Sequence, residues 1–140
     1  MKIILNSEEE TIKFAKTFAN QLKGSEIIGL VGNLGAGKTV FSRALASGLK
    51  ITNKITSPTF VLMKVYEVKK HPTIKYLCHI DAYRLKTAND LVAIGANEYF
   101  GRADTVSVIE WADKIKNILP KNTKYIKIKI GENNQRIINY

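Results

Sequence analysis

The chain has 140 residues, 45% of them hydrophobic and 24% charged, with no apolar run long enough to span a bilayer. That composition excludes a fibrous, a low-complexity and a helical membrane protein, and predicts one globular domain over residues 1–140. A single cysteine, Cys78, excludes an internal disulfide or a cysteine metal cluster, and Met1 to Asn6 turn polar too early for a signal peptide. A cytoplasmic protein is therefore expected, with no membrane association. The formal net charge of +10 comes mainly from lysines spread along the whole chain, so it reads equally as a nucleic-acid or acidic-partner surface and as ordinary solvated faces.

Taken in order, Lys2 to Leu5 predicts a short strand. Ser7 then opens a helix, with Glu10 three residues on as a capping-box partner and Glu8 to Glu10 at the positive end of the dipole. Ile12, Ala15, Phe18, Ala19 and Leu22 form its buried stripe, and Gly24 is expected to end it. Ile27 to Val31 reads as a buried strand. It runs into Gly32-Asn33-Leu34-Gly35-Ala36-Gly37-Lys38-Thr39, a complete phosphate-loop motif. In such a loop the glycines let successive backbone amides line a concavity for phosphate oxygens, the lysine reaches the β and γ phosphates, and the threonine hydroxyl takes a place on Mg²⁺. The expected nucleotide contacts here are Leu34, Gly35, Ala36, Gly37, Lys38 and Thr39. Val40, Phe41, Ala44 and Leu45 continue at helical spacing, with Gly48 as the expected stop.

Ile51 to Phe60 carries the polar stretch Thr56-Ser57-Pro58-Thr59. It lies where nucleotide-dependent switch segments occur, and spacing leaves a phosphate-sensing role for Ser57 or Thr59 and a plain turn both open. Val61 to Val68 and Ile74 to Ile80 predict an antiparallel hairpin. Asp81 closes the second of these strands, and Glu110 closes the strand Thr105 to Ile109. Carboxylates at the carboxyl ends of strands in an α/β sheet reach a metal or its waters, and two of them beside a phosphate loop read as a Mg²⁺ and water-orienting site. His79 and Cys78 read as structural core residues. Leu85 to Tyr99 shows helical spacing broken at Gly95, flanked by Arg84 and Arg102, for which surface ion pairing is expected ahead of phosphate contact. Tyr125 to Ile130 alternates as a half-solvated strand with Ile126, Ile128 and Ile130 inward. Gly131 to Asn134 is a turn and Arg136 to Ile138 a last strand. The fold class that follows is α/β, with a mainly parallel central sheet, packed helices and antiparallel strands added at its edge.

Five stretches together resemble the TsaE (YjeE) family of small P-loop ATPases: residues 32–39, Ser-Pro-Thr-Phe at 57–60, His-Ile-Asp-Ala-Tyr-Arg-Leu at 79–85, Gly-Ala-Asn-Glu-Tyr-Phe at 95–100 and Ile-Glu-Trp at 109–111. The resemblance implies a P-loop NTPase fold. It also implies an ATP- and Mg²⁺-dependent role in the threonylcarbamoylation of adenosine 37 in ANN-decoding tRNAs. The partners implied are the TsaD and TsaB proteins, whose repeated turnover the ATPase sustains without transferring the group itself, and a direct and an indirect tRNA contact both stay open. Carried over, Lys38, Asp81 and Glu110 are the catalytic residues, Thr39 and Glu110 the Mg²⁺ ligands, and Glu8 and Asn134 the residues beside the base. Hydrolysis is expected to be weak alone and activated by partners. A small-molecule kinase and a nucleotide-gated binding module are the competing readings; a kinase needs several arginines over the phosphates, and the four here are widely spaced.

Overall fold

The computed structural model describes residues 1–140. Its seven strands are β1 (Lys2–Leu5), β2 (Ile27–Val31), β3 (Met63–Glu67), β4 (Tyr76–Asp81), β5 (Thr105–Glu110), β6 (Lys124–Ile130) and β7 (Arg136–Asn139). They form one sheet in the order β1-β7-β6-β2-β5-β4-β3. The four central strands, β6, β2, β5 and β4, pair in parallel. β3 adds antiparallel to β4 at one edge, and β7 and β1 add antiparallel beyond β6 at the other. The sequence pattern follows from burial: every residue of β5 is buried, so it reads as continuous, whereas β6 alternates because one of its faces meets solvent. The strand β2, the glycine loop and the helix after it make this the P-loop NTPase fold.

Three helices accompany the sheet: α1 (Glu8–Ala19), α2 (Lys38–Gly48) and α3 (Ala88–Ala93). The first two cover one face. There Ala15, Ala19, Phe41 and Leu45 pack with Ile28, Leu30, Leu77, Val106 and Val108 in the larger apolar cluster. The opposite face holds a smaller cluster built from Cys78, Ile80, Ile109, Leu91 and Ile115. Burial pushes the Cys78 thiol up to about 12, so this side chain is an inert core group. No helix is long and apolar enough to cross a membrane.

Several boundaries differ from expectation. The first helix stops at Ala19, five residues before Gly24, and Leu22 is buried from the following turn. Ser7 caps it by accepting from the Glu10 amide at 3.1 Å, but in return the Glu10 carboxylate accepts from the Asn6 amide, at 2.7 Å, and not from that of Ser7. Gly48 is the last residue of α2, and the left-handed residue beyond it is Lys50, with φ of 61°. The glycine is there for packing: a Cβ on Gly48 would lie 2.6 Å from Ala19 Cβ and 2.9 Å from the Lys16 carbonyl oxygen, so it lets α1 and α2 approach. The helical spacing over 85–99 yields only α3 and a short 3₁₀ turn at Ala96–Glu98. Thr87 and Asp90 form a reciprocal capping box that starts α3 late, and Gly95, at φ of 80°, divides the two. Ile130 lies half exposed where β6 runs past the core. Arg102 makes the expected surface pair with Asp104, at 3.1 Å, whereas Arg84 makes no ion pair and lies over the Phe60 ring, 5.6 Å from its centre.

Candidate functional site

The site lies at the carboxyl ends of β2, β5 and β4. Parallel pairing sets Asp81 and Glu110 opposite one another in register, and Leu30 of β2 opposite Glu110. Side chains alternate along a strand, so His79 and Asp81 share a face with Leu77, and Glu110 shares one with Val106 and Val108. Those apolar neighbours belong to the cluster under α2. All three polar groups therefore face α2, whose first turn carries Lys38, Thr39 and Ser42.

Glu110 is the hub. It is 2% exposed. One carboxylate oxygen accepts from the Thr39 hydroxyl at 2.8 Å; the other lies 2.5 Å from His79 Nε2 and 3.5 Å from the Ser42 hydroxyl. Burial works against its charge, but the hydrogen bond and charge of His79, with help from Thr39 and Lys38, outweigh it and hold the Glu110 carboxyl below its ordinary range. An ionised carboxylate touching a threonine hydroxyl is a donor set suited to a hard divalent cation such as Mg²⁺. Asp81 is also buried; one oxygen accepts from the Tyr83 amide at 2.9 Å, which fixes the carboxylate at the cleft wall.

The loop before α2 supplies the opposite charge. Gly35 and Gly37 have φ of 80° and 111°, in the left-handed region that glycine adopts without penalty. In this shape the amides of Gly35, Gly37, Lys38 and Thr39 donate to no acceptor within the protein. Together with the N-terminus of an 11-residue helix, they form a cradle for an anion. Ala36 differs from its neighbours: its amide donates to the Asn33 carbonyl at 3.0 Å, so its place in the loop is structural. Leu34 stands at the loop's tip with its side chain 86% exposed. Lys38 Nζ donates to the carbonyls of Gly32 and Asn33, at 2.5 and 3.0 Å, and lies 3.7 Å from the centre of the Trp111 ring. Burial lowers its pKa, while Glu110, Asp113 and Asp81 pull the other way.

These groups enclose a cleft of about 480 Å³ whose wall also includes Ser57, Thr59, Tyr83 and Arg84. The structure thus brings Lys38, Thr39, Asp81 and Glu110 into one space, with the 57–59 stretch at its edge. Glu8 and Asn134 lie elsewhere. They share a second cleft, of about 210 Å³, with Asn6, Ser7, Thr11 and Asn133, and it meets the first across Gly35, Gly37 and Val40.

Three residues of this region escape sequence reasoning. His79 reads as a filled core position, yet it braces Glu110, and its Nδ1 is buried without a partner. The signal available was its place two residues before Asp81 on one strand face. Trp111 adopts φ of 59°, costly for a bulky residue, and this turn carries the indole to Lys38. Arg136 reaches the loop from the other end of the chain, donating to the Ala36 carbonyl at 2.8 Å.

Comparison with known proteins agrees with this geometry. The model of the family described as threonylcarbamoyl adenosine biosynthesis protein TsaE matches residues 5–138. The tRNA threonylcarbamoyladenosine biosynthesis protein TsaE of Rickettsia bellii is 39% identical over 137 residues, covering 97% of this chain and 91% of the relative. Its counterpart in Aquifex aeolicus is also 39% identical, over 91% of this chain and 94% of the relative. Among solved structures, Bacillus subtilis YdiB superposes with a TM-score of 0.79 at 33% identity, over 99% of this chain and 82% of that one.

Proposed function

The chain belongs to the TsaE family, involved in tRNA threonylcarbamoyladenosine biosynthesis, and from that premise we propose that it binds and hydrolyses ATP in that process. The observation that carries the proposal is the meeting, in one cleft, of four undonated loop amides with Lys38, Thr39, Asp81 and Glu110. The amides and Lys38 bind and orient the phosphates, which requires Lys38 to leave the carbonyls of Gly32 and Asn33 for a stronger anionic acceptor. Thr39 and Glu110 would hold Mg²⁺, which when bound neutralises charge on the β and γ phosphates. Asp81 would orient an attacking water in this reading, which its backbone-anchored carboxylate on the wall of the same cleft supports. Glu8 and Asn134, in the adjoining cleft, are assigned to the base.

In this reading hydrolysis serves the repeated turnover of TsaD and TsaB on adenosine 37 of ANN-decoding tRNAs. The chain transfers no threonylcarbamoyl group itself, is slow alone and is activated by these partners. The test is a reconstituted reaction that follows ATP turnover and tRNA threonylcarbamoylation together, for this chain and its Lys38→Ala variant, with and without TsaB and TsaD. Partner-stimulated hydrolysis, with multiple rounds of tRNA product only for the unaltered chain, is expected. Turnover indifferent to the partners, with product forming equally without the chain, would overturn the proposal and redirect the search to a small-molecule phosphate acceptor.

A further inference from the structure

A loop amide points into a cleft only if its peptide plane is held there, and a planar trans peptide places the preceding carbonyl on the opposite side. The carbonyl side of this loop is held at two places. Lys38 takes the carbonyls of Gly32 and Asn33. Arg136, a hundred residues away in sequence, takes those nearer the helix: Nε donates to the Ala36 carbonyl at 2.8 Å and Nη2 to the Gly35 carbonyl at 3.3 Å. The Ala36 carbonyl shares its peptide plane with the Gly37 amide, one of the four undonated groups of the cradle. Fixing the one aims the other.

The same guanidinium has a second grip. Its Nη1 donates to the Asn134 carbonyl at 2.8 Å, to the Asn134 side-chain oxygen at 3.0 Å and to the Gln135 carbonyl at 3.3 Å. Asn133 and Asn134 have φ of 50° and 61°, the left-handed region that asparagine enters more readily than other residues with a side chain. Both residues line the second cleft. A planar fork with five donors can satisfy acceptors on two segments at once, which a lysine ammonium on a flexible stem does poorly.

We propose that Arg136 is a positioning residue that orients the Gly37 amide of the phosphate cradle and locks it to the 133–135 turn, so that the two clefts act as one site for a nucleoside polyphosphate. The proposal rests on the phosphate-loop reading above and adds a coupling between its two ends. It is tested by measuring the affinities of Arg136→Gln and Arg136→Lys for Mg-ATP and for Mg-tripolyphosphate by calorimetry, with thermal melts confirming that each variant is folded. Arg136→Gln should lose about tenfold or more for both ligands alike, the scale of a lost hydrogen bond to a charged group, and Arg136→Lys should restore only part of it. Affinities within twofold of the unaltered chain for both ligands, or a loss confined to ATP, would overturn the proposal; the second result would limit Arg136 to the base-side turn. Should both variants unfold, hydrogen exchange in the unaltered chain decides: tripolyphosphate should slow exchange at the backbone amides of residues 133–135, and unchanged exchange there refutes the coupling. Failure of the unaltered chain to bind either ligand would instead refute the phosphate-loop reading.

Discussion

Replacing His79 with alanine tests whether the carboxylate at the centre of the site is braced from below. Glu110 is 2% exposed and His79 1%, with 2.5 Å between Nε2 and the carboxylate. Losing a hydrogen bond to a charged group costs about 1.5–3 kcal/mol. Stranding the buried charge raises the cost of breaking such a pair to roughly 3–5 kcal/mol. Thr39 still donates and Lys38 is still near, so the lower end applies, about 3 kcal/mol. For a chain of this size that corresponds to a fall in Tm of roughly 6–12 °C.

The cost must depend on the charge of Glu110. Urea unfolding near neutral pH, where this carboxyl is ionised, should therefore be run on His79→Ala, Glu110→Gln and the pair. In the Glu110→Gln background no anion is stranded, and the His79→Ala penalty should drop to about 1–2 kcal/mol, its cavity and packing share. If the penalty is the same in both backgrounds to within about 0.5 kcal/mol, the histidine is filling space and the bracing argument fails.

Trp111 is the single tryptophan, and Lys38 Nζ lies 3.7 Å from its ring centre, so drawing Lys38 onto phosphate should change the protein's intrinsic fluorescence. Titration with Mg-ATP should show this in the unaltered chain and not in Lys38→Ala; silent emission at calorimetrically saturating ATP would contradict it. Gly48→Ala gains about 1 kcal/mol of helix propensity but forces a methyl against Ala19 and the Lys16 carbonyl, at a cost of about 1–3 kcal/mol, so a net loss in urea unfolding is expected, and a rise in stability would show that α1 shifts freely. The Asp90 carboxyl is held below its ordinary value by the amides of Lys86 and Thr87. Its folded pKa is depressed, so the stability it supplies is present above the unfolded value and disappears as pH falls through the folded one. Asp90→Asn should accordingly flatten the stability profile on the acid side, from the ordinary aspartate range downward, and a profile of unchanged slope would remove Asp90 from the cap.

What the sequence reveals and conceals here follows from how far apart the cooperating residues lie. The phosphate loop is legible because eight consecutive residues carry its chemistry. Asp81 and Glu110 are legible as strand ends, since each closes an apolar run. Their alignment is not, because it depends on the parallel pairing of β4 with β5, which no local pattern specifies. His79 has its partner 31 residues away and Arg136 its phosphate-loop partners a hundred, so neither announces its role. The helical spacing from Leu85 breaks at Gly95 as expected but starts late for a local reason: Thr87-Ala88-Asn89-Asp90 is a capping box, which places the first helical residue three positions beyond Leu85. Gly48 reads as a helix stop and α2 does end there, but only the position of α1 shows that it also serves a helix contact.

The sheet order explains why the site has two unlike halves. From β2 the neighbours diverge, β5 and β4 on one side and β6, β7 and β1 on the other, so the loop after β2 sits at a topological switch point, where such sheets open a crevice. The β5 and β4 side delivers Glu110 and Asp81, carboxylates that oppose a bare anion and so suit one accompanied by a divalent cation. The opposite side delivers Arg136 and the turn bearing Asn133 and Asn134 from the end of the chain, and β1 leads directly into Ser7 and Glu8 from its beginning. One flank is therefore rich in carboxylate and metal-ligand chemistry and the other in asparagine and hydroxyl hydrogen-bonding groups with one acid, Glu8, and one guanidinium, Arg136, with the loop amides between them. A ligand matching that order has a polyphosphate end and a polar heterocyclic end, and inorganic phosphate would use only half of what the sheet assembles.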